Sequence, residues 1–477
     1  MYKCILTIFF LVLLSVPSFA QTVNVHPDSI PFAPAVNYDV GDAPTSVFCA
    51  DLDGDSALDL AVANGGSNNV AILKNYGDGT FQTAVNYGVG DYPSSVFCAD
   101  LDGDSALDLV VVNLNAKNVS ILKNYGDGTF ETKVDYGVGD FPYSVFCADL
   151  DGDGDLDLAV ANSESGNISI LKNEGDGTFQ AKDDYGAGGD PRCVFCANLD
   201  GDSALDLAVA NYSSDSVSIL KNNGDGTFQT KVDYDAGNGP QSVFCADLDG
   251  DSALDLAVTS NGSNTVSILI NDGNGAFPTK VDYDVGSSPI SVFCADLDGD
   301  TNLDLAVANE YSDNVSVLKN NGDGIFQTAV NYEVGHYPSS VFCADLDGDG
   351  DLDLAVANLS SDNVSILLNQ MVTDVEDDEG IVQQPERYSL SQNYPNPFNP
   401  TTTIEFTLEK SGFVSLNIYD ILGRKVRTLV SEHLSSGYKS VLWDGKNDLG
   451  KDVASGIYFY QLRVGDFSQT KKLLLLK

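Results

Sequence analysis

Seven times, at intervals of 49 residues, the chain packs four metal-ligand positions into nine residues. The first copy reads Asp51-Leu-Asp-Gly-Asp-Ser-Ala-Leu-Asp59, with carboxylates at positions 1, 3, 5 and 9. The same positions hold Asp100, Asp102, Asp104 and Asp108 in the second copy, Asp149, Asp151, Asp153 and Asp157 in the third, and Asn198, Asp200, Asp202 and Asp206 in the fourth. The last three copies supply Asp247, Asp249, Asp251 and Asp255, then Asp296, Asp298, Asp300 and Asp304, then Asp345, Asp347, Asp349 and Asp353. Of these 28 side chains 27 are Asp, a regularity that a merely solvated acidic face does not require. The loop offers only hard oxygen donors, and the carbonyl of position 7, Ala57 in the first copy, is free to turn inward beside them. Calcium accepts six to eight such ligands at irregular geometry, whereas magnesium demands a tight octahedron and transition metals favour nitrogen or sulfur. Four carboxylates in one tight turn repel each other without a cation. The expected occupant is calcium, up to seven ions, in a structural role, because a cage filled by protein oxygens leaves little room for catalysis or ligand bridging.

The elements that hold these loops are short strands. In the first copy Ser46–Ala50 leads into the acidic loop, Leu60–Ala63 leaves it, Val70–Leu73 follows, and Phe81–Tyr87 comes after Gly77-Asp-Gly79. Each run is β-branched or aromatic and bounded by Gly, Asn or Asp. Four strands per unit and seven units fit one propeller blade per repeat. Both ends of the array are incomplete: Phe32–Tyr38 matches a fourth strand with no preceding three, and the seventh copy stops after Val364–Asn369. Together they make one blade, which predicts a closed ring instead of an open solenoid. Pro44, Pro93, Pro142, Pro191, Pro240, Pro289 and Pro338 mark the entry to each first strand, where no ladder donor is needed.

The DxDGDxxxD loop, the Leu-Ala-Val-Ala-Asn that follows it and the Asn-x-Gly-Asp-Gly-Thr-Phe turn resemble FG-GAP or VCBS repeats, the blades of the integrin α-subunit propeller and of many bacterial surface proteins, over residues 32 to 369. The resemblance implies calcium bound in each loop between the first two strands. Position 6, often Gly in that family, is Gly only at Gly154 and Gly350; Ser56, Ser105, Ser203, Ser252 and Thr301 replace it. If that position needs φ > 0, loops three and seven are expected to bind most tightly, and loop four, with Asn198, more weakly.

One end of the blades carries the acidic loops and the Gly-Asp-Gly turns; the other carries the loop after Asn64 and the one before Pro93. Divergence between copies concentrates on the second end. Its candidate ligand contacts are Tyr92, Phe141, Tyr143, Arg192, Tyr212, Tyr311, His336 and Tyr337, since aromatic residues and Arg dominate binding hot spots. An enzyme would have to break the sevenfold pattern with a catalytic set; Glu164, Arg192 and His336 are the candidates for a shared funnel. The expected function is adhesion or binding of an extracellular protein or glycan, without catalysis. A polysaccharide hydrolase or lyase, or a structural surface-layer component, is the alternative.

A formal charge of -46 excludes nucleic acid and anionic lipid as natural partners. Cys49, Cys98, Cys147, Cys196, Cys245, Cys294 and Cys343 recur with the repeat in apolar strands, so they read as small buried side chains. Cys193 and Cys196, three apart on one strand, face opposite ways and cannot bridge. Residues 1–20 have the Lys3, apolar run and Pro17-Ser-Phe-Ala20 of a secretory signal. The mature chain then lacks a transmembrane segment. The propeller is expected over 21–370, an acidic linker over 371–392 and a small Ig-like β-sandwich over 393–477. In this last part Asn393–Thr401, Tyr419–Lys425, Ala454–Tyr460 and Lys472–Lys477 are similar to a type IX secretion C-terminal sorting domain, which implies export machinery as a partner and an extracellular or cell-surface destination. The fold class is all-β throughout.

Overall fold

The computed structural model describes residues 30–371 without a break, the pairs 376–377 and 381–382, and 388–475 apart from 391–401, 409, 411, 421–423, 435–436, 444, 448–450, 452 and 466. The expected signal at 1–20, most of the expected linker and the Asn393–Thr401 motif lie outside the described residues. The chain divides into two compact units, one ending at Met371 and the other beginning at Val372.

In the first unit β1 (Val36–Asp39) is followed by β2 (Pro44–Ala50), β3 (Asp59–Asn64), β4 (Asn69–Leu73) and β5 (Val85–Gly88). Strands β2 to β5 form a four-stranded antiparallel sheet, and five more sheets repeat it along the chain. The seventh sheet is made of Pro338–Ala344, Asp353–Asn358, Asn363–Leu367 and β1, in register from Val36 opposite Ile366 to Asp39 opposite Asn363. The first strand of each blade is innermost and touches those of both neighbours, the last touching the first, so the seven blades form a closed propeller. Around the axis Phe48, Phe97, Phe146, Phe195, Phe244, Phe293 and Phe342 run ring to ring at 4.5–5.2 Å, with Phe342 4.8 Å from Phe48.

Each blade is covered on both faces, which is why β3 is buried along its whole length and reads as a continuous apolar run without alternation. One face of the first blade sets Val47, Cys49, Leu60 and Val62 against Ala344, Ala355 and Ala357 of the seventh. Its other face sets Ala50, Ala61 and Ala63 against Val96, Cys98, Leu109 and Val111 of the second. Large side chains thus meet small ones at both joints of the first blade, the interdigitation that native packing density requires, while in the second blade Val110 and Val112 take the places of the alanines. The cysteines occupy this layer, Cys49, Cys98, Cys196, Cys245, Cys294 and Cys343 as buried thiols.

The fourth strand starts later than the sequence suggests. Phe81 makes only an isolated bridge with Asn75, and the ladder begins at Val85. The reason is packing: Phe81 turns into the joint between blades, edge-on to Tyr38 at 5.2 Å, and the chain must bend before it can pair again. Six further Phe–Tyr pairs repeat this clasp, among them Phe32–Tyr332 at 5.1 Å, supplied by the N-terminal segment.

The second unit has two sheets. Ser389–Leu390, Thr402–Leu408 and Gly437–Trp443 form one, and Lys425–Leu434, Gly412–Asp420, Gly456–Val464 and Phe467–Leu475 form the other. Ile404, Phe406 and Trp443 from the first meet Leu416, Ile418 and Tyr460 from the second in one core, as in a β-sandwich. Among the described residues no helix is long and apolar enough to cross a membrane.

Candidate functional site

Each acidic loop joins the two innermost strands of its blade and is folded by its own carboxylates. In the first copy Asp51 Oδ1 accepts from the amide of Gly54 at 2.8 Å and its Oδ2 from that of Ser56 at 3.0 Å, while Asp55 Oδ1 accepts from Ala57. The turn needs left-handed backbone twice. Gly54 has φ 78° and Ser56 φ 76°, and position 6 is positive in all seven copies, from 75° at Ser105 to 99° at Gly154. Five copies therefore hold a Ser or Thr where Gly is cheapest, Thr301 being the least suited because it is β-branched.

Position 9 is the anchor. Asp59 is fully buried, and its Oδ1 and Oδ2 accept from the amides of Asn75 at 2.8 Å and Leu52 at 3.2 Å. Asp108, Asp157, Asp206, Asp255, Asp304 and Asp353 repeat both bonds. Burial, with repulsion from the neighbouring loop carboxylates, raises Asp59 to about 7 and Asp353 to about 8. Asp108, Asp157, Asp206 and Asp255 rise to about 6 and Asp304 to about 7 for the same reason.

The carboxylates converge. Positions 1, 3 and 9 lie within 4.8 Å of one another in loops one and three, and positions 1, 3 and 5 do so in loops two, five and six. Two charges at that distance repel by about 3 kcal/mol at an effective dielectric near 20. Oδ1 of Asp53, Asp102 and Asp151 is moreover buried without any donor. Clustered carboxylates with an orphaned buried oxygen fit a bound cation: these triads could hold a metal ion, which would neutralise the cluster and occupy the free lone pairs of Asp53, Asp102 and Asp151.

Two sets of residues at this end escape the sequence reading. Asn75, at the start of the turn after β4, donates from its amide to the Leu58 carbonyl at 3.0 Å and to Leu346 of the preceding blade at 2.8 Å. Lys74 pairs through Nζ with Asp53 Oδ2 at 3.0 Å and donates to the carbonyl of Asp127 in the next blade. Gly128 in that turn has φ 73°, the left-handed backbone that favours glycine, and a Cβ there would fall 2.8 Å from the end of the Lys74 side chain. Recurrence every 49 residues marks both sets in the sequence, but their targets lie on neighbouring blades.

At the opposite end the residues before the prolines also adopt left-handed backbone, with φ 54° at Tyr92, 53° at Phe141 and 56° at Tyr337. Arg192 lies between two rings, 4.4 Å from the centroid of Tyr143 and 5.1 Å from that of Tyr212, and pairs with Asp190 at 2.8 Å. Tyr311 and Tyr337 form a second pair, edge to face at 5.5 Å and both exposed. His336 Nδ1 is 2.8 Å from Asp313. Tyr143, Arg192 and Tyr212 thus come together, as do Tyr311, His336 and Tyr337 around Asp313. Glu164, Arg192 and His336 do not share a partner: Arg192 is engaged by Asp190 and His336 by Asp313, while Glu164 donates its amide to the Asp140 carbonyl.

These repeating blades and loops define an FG-GAP-like propeller. The family model for the FG-GAP-like repeat matches residues 51–111, 100–160, 149–209, 198–258, 247–307 and 296–356, and the chain belongs to this family. Residues 392–476 match the secretion system C-terminal sorting domain, so the protein is an exported one, delivered to the cell surface or beyond. No curated protein matches the chain. Among solved structures, a protein from Lactobacillus plantarum is similar at 17% identity and a TM-score of 0.50, over 64% of this chain and 88% of its own, which is a likeness of fold. An Agrocybe aegerita lectin described as recognising non-reducing terminal N-acetylglucosamine aligns at 20% identity and a TM-score of 0.45, over 67% and 87%. A putative 6-phosphogluconolactonase from Bacteroides uniformis aligns at 12% and 0.47, over 61% and 85%.

Proposed function

We propose that the mature chain, freed of residues 1–20 on export and of any catalytic role, is a calcium-stabilised propeller that binds an extracellular protein or glycan through the end opposite its metal loops. Calcium would be held by the side chains at positions 1, 3, 5 and 9 and would supply only charge neutralisation, leaving the blades as scaffold. The observation that carries the binding reading is the asymmetry of the opposite end. There Tyr143 and Tyr212 enclose Arg192, while Tyr92, Phe141 and Tyr337 keep bulky side chains at left-handed positions where the fifth blade has Gly239. Strain of this kind, of order 1–3 kcal/mol per residue, gathers at functional sites. Residues 371–392 would serve as linker to the sorting domain.

The test is a screen of the full mature chain against glycan arrays and extracellular protein extracts, with Tyr143→Ala, Arg192→Ala and Tyr337→Ala compared with Tyr125→Ala on the metal end. Binding lost in the first three and kept in the fourth supports the assignment. Turnover of a polysaccharide would replace it with the hydrolase or lyase reading, and absence of any binding would favour a structural surface component.

A further inference from the structure

The seven metal loops share their ligand pattern but differ in one neighbour. The residue 23 places after position 1 of the loop is lysine in blades one to four and six, and a hydrocarbon, Ile270 or Leu368, in blades five and seven. Each lysine pairs with the position 3 aspartate of its own blade: Lys74–Asp53, Lys123–Asp102, Lys172–Asp151 and Lys221–Asp200 at 3.0 Å and Lys319–Asp298 at 2.6 Å. Ile270 and Leu368 instead pack beside Gly324 and Gly79 in the neighbouring turns. Among the described residues no ion pair is formed by Asp249 or Asp347, the position 3 side chains of these two loops.

We infer that the loops divide into two classes, five carrying a resident ammonium that lowers their demand for calcium, and two, loops five and seven, that depend on calcium and bind it most tightly. The inference rests on the calcium reading proposed above.

Two opposed effects decide it. The lysine grips Oδ2 of position 3 and so fixes the other oxygen, buried and without a donor in loops one to three, for a metal. Pre-ordering one short side chain is worth about a factor of a few in affinity. Against this, a unit positive charge roughly 5 Å from a divalent ion opposes binding by about tenfold even at the dielectric of water, and by more in a half-buried loop. Repulsion wins. Loop seven combines the missing lysine with Gly350 at position 6; loop three has Gly154 there but also Lys172 on Asp151, which places it below loops five and seven against the expectation from position 6 alone, and loop four combines Lys221 with Asn198 and stands lowest.

Calcium titration of the chelator-stripped mature protein by calorimetry tests this, alongside Leu368→Lys and Lys123→Met. A tight class of about two sites is expected, at least about tenfold tighter than the rest. Leu368→Lys should reduce the tight class to one and Lys123→Met should raise it to three. Hydrogen exchange in chelator should show residues 247–255 and 345–353 deprotected beyond the other loops. A single class of equal sites, or variants that leave the tight class unchanged while circular dichroism shows them folded, overturns the division and leaves the calcium reading standing. Absence of calcium binding at millimolar concentration overturns both.

Discussion

Replacing Phe32 by alanine should open the ring at one place. Phe32 is 8% exposed and edge-on to Tyr332, and the segment it anchors holds the seventh blade through the Ala33 amide on Leu368, the Gln370 amide on Pro31 and the four paired residues of β1. Removing a buried phenyl ring costs about 3–5 kcal/mol. Phe130 is the internal control, equally buried and in the same edge-on contact with Tyr87 at 5.2 Å. The chemistry lost is therefore the same, but Phe130 sits in a chain continuous on both sides, whereas β1 can peel away as a terminal strand. With about 3 kcal/mol taken from its docking, β1 should undock roughly a hundredfold more often. Hydrogen exchange read by mass spectrometry should then speed up about a hundredfold over Asn363–Leu367 in Phe32→Ala, and far less over Asn118–Leu122 in Phe130→Ala. Equal acceleration in the two variants, or none in the first, would refute the idea that the N-terminal strand is the weak seam of a closed ring.

Asp59→Ala, studied in chelator so that no metal intervenes, leaves the amides of Leu52 and Asn75 without an acceptor and should destabilise by about 2–6 kcal/mol at 1–3 kcal/mol per buried group; Asp59→Asn, which keeps one acceptor, should lose about half. Urea unfolding reads both. The position 9 carboxylates titrate at about 6 to 8 in the folded chain, above the usual carboxylate range, so the folded state binds their protons more tightly than the unfolded one. Their contribution to stability in chelator is complete below about pH 4 and is lost as pH rises through 6 to 8; unfolding at pH 5.5 and 8 should show the lower stability at 8, with the difference removed by calcium. Thr301→Gly should stabilise by about 1 kcal/mol, since a left-handed backbone costs about 1–2 kcal/mol in a residue with a Cβ, and no gain in melting temperature would count against strain at φ 78°.

The repeat made most of the fold legible. A 49-residue period, strands with β-branched cores and two incomplete blades at the ends, one strand and three, point to a closed propeller, and the nine-residue acidic loop supplies carboxylates that gather in threes in the folded chain. What stayed hidden depends on contacts between blades. Phe81 reads as part of a strand because its type favours one, yet the joint with Tyr38 claims its ring and delays the ladder to Val85. Position 9 reads as one ligand among four, but its burial and two amide bonds make it the post on which the loop is built. Lys74 is plain in the repeat, while its pairing with Asp53 and the next blade's turn follows only from the ring's geometry. At the opposite end, sequence divergence pointed to eight residues, and spatial arrangement divides most of them between an arginine held by two tyrosines and a group around Asp313.

The order of synthesis gives the ring a timetable. Val36 pairs with Ile366, 330 residues later, whereas a partner within the first blade, Ile72 with Val85, is 13 away. In an unstructured chain that difference in span raises the cost of bringing the ends together by roughly 3 kcal/mol. The interior blades can form as they appear, each from a contiguous stretch, while β1 emerges first and must wait longest. A chain interrupted before Leu367 has an N-terminal strand with no place to dock, so completion of the seventh blade reports that the whole array has been made.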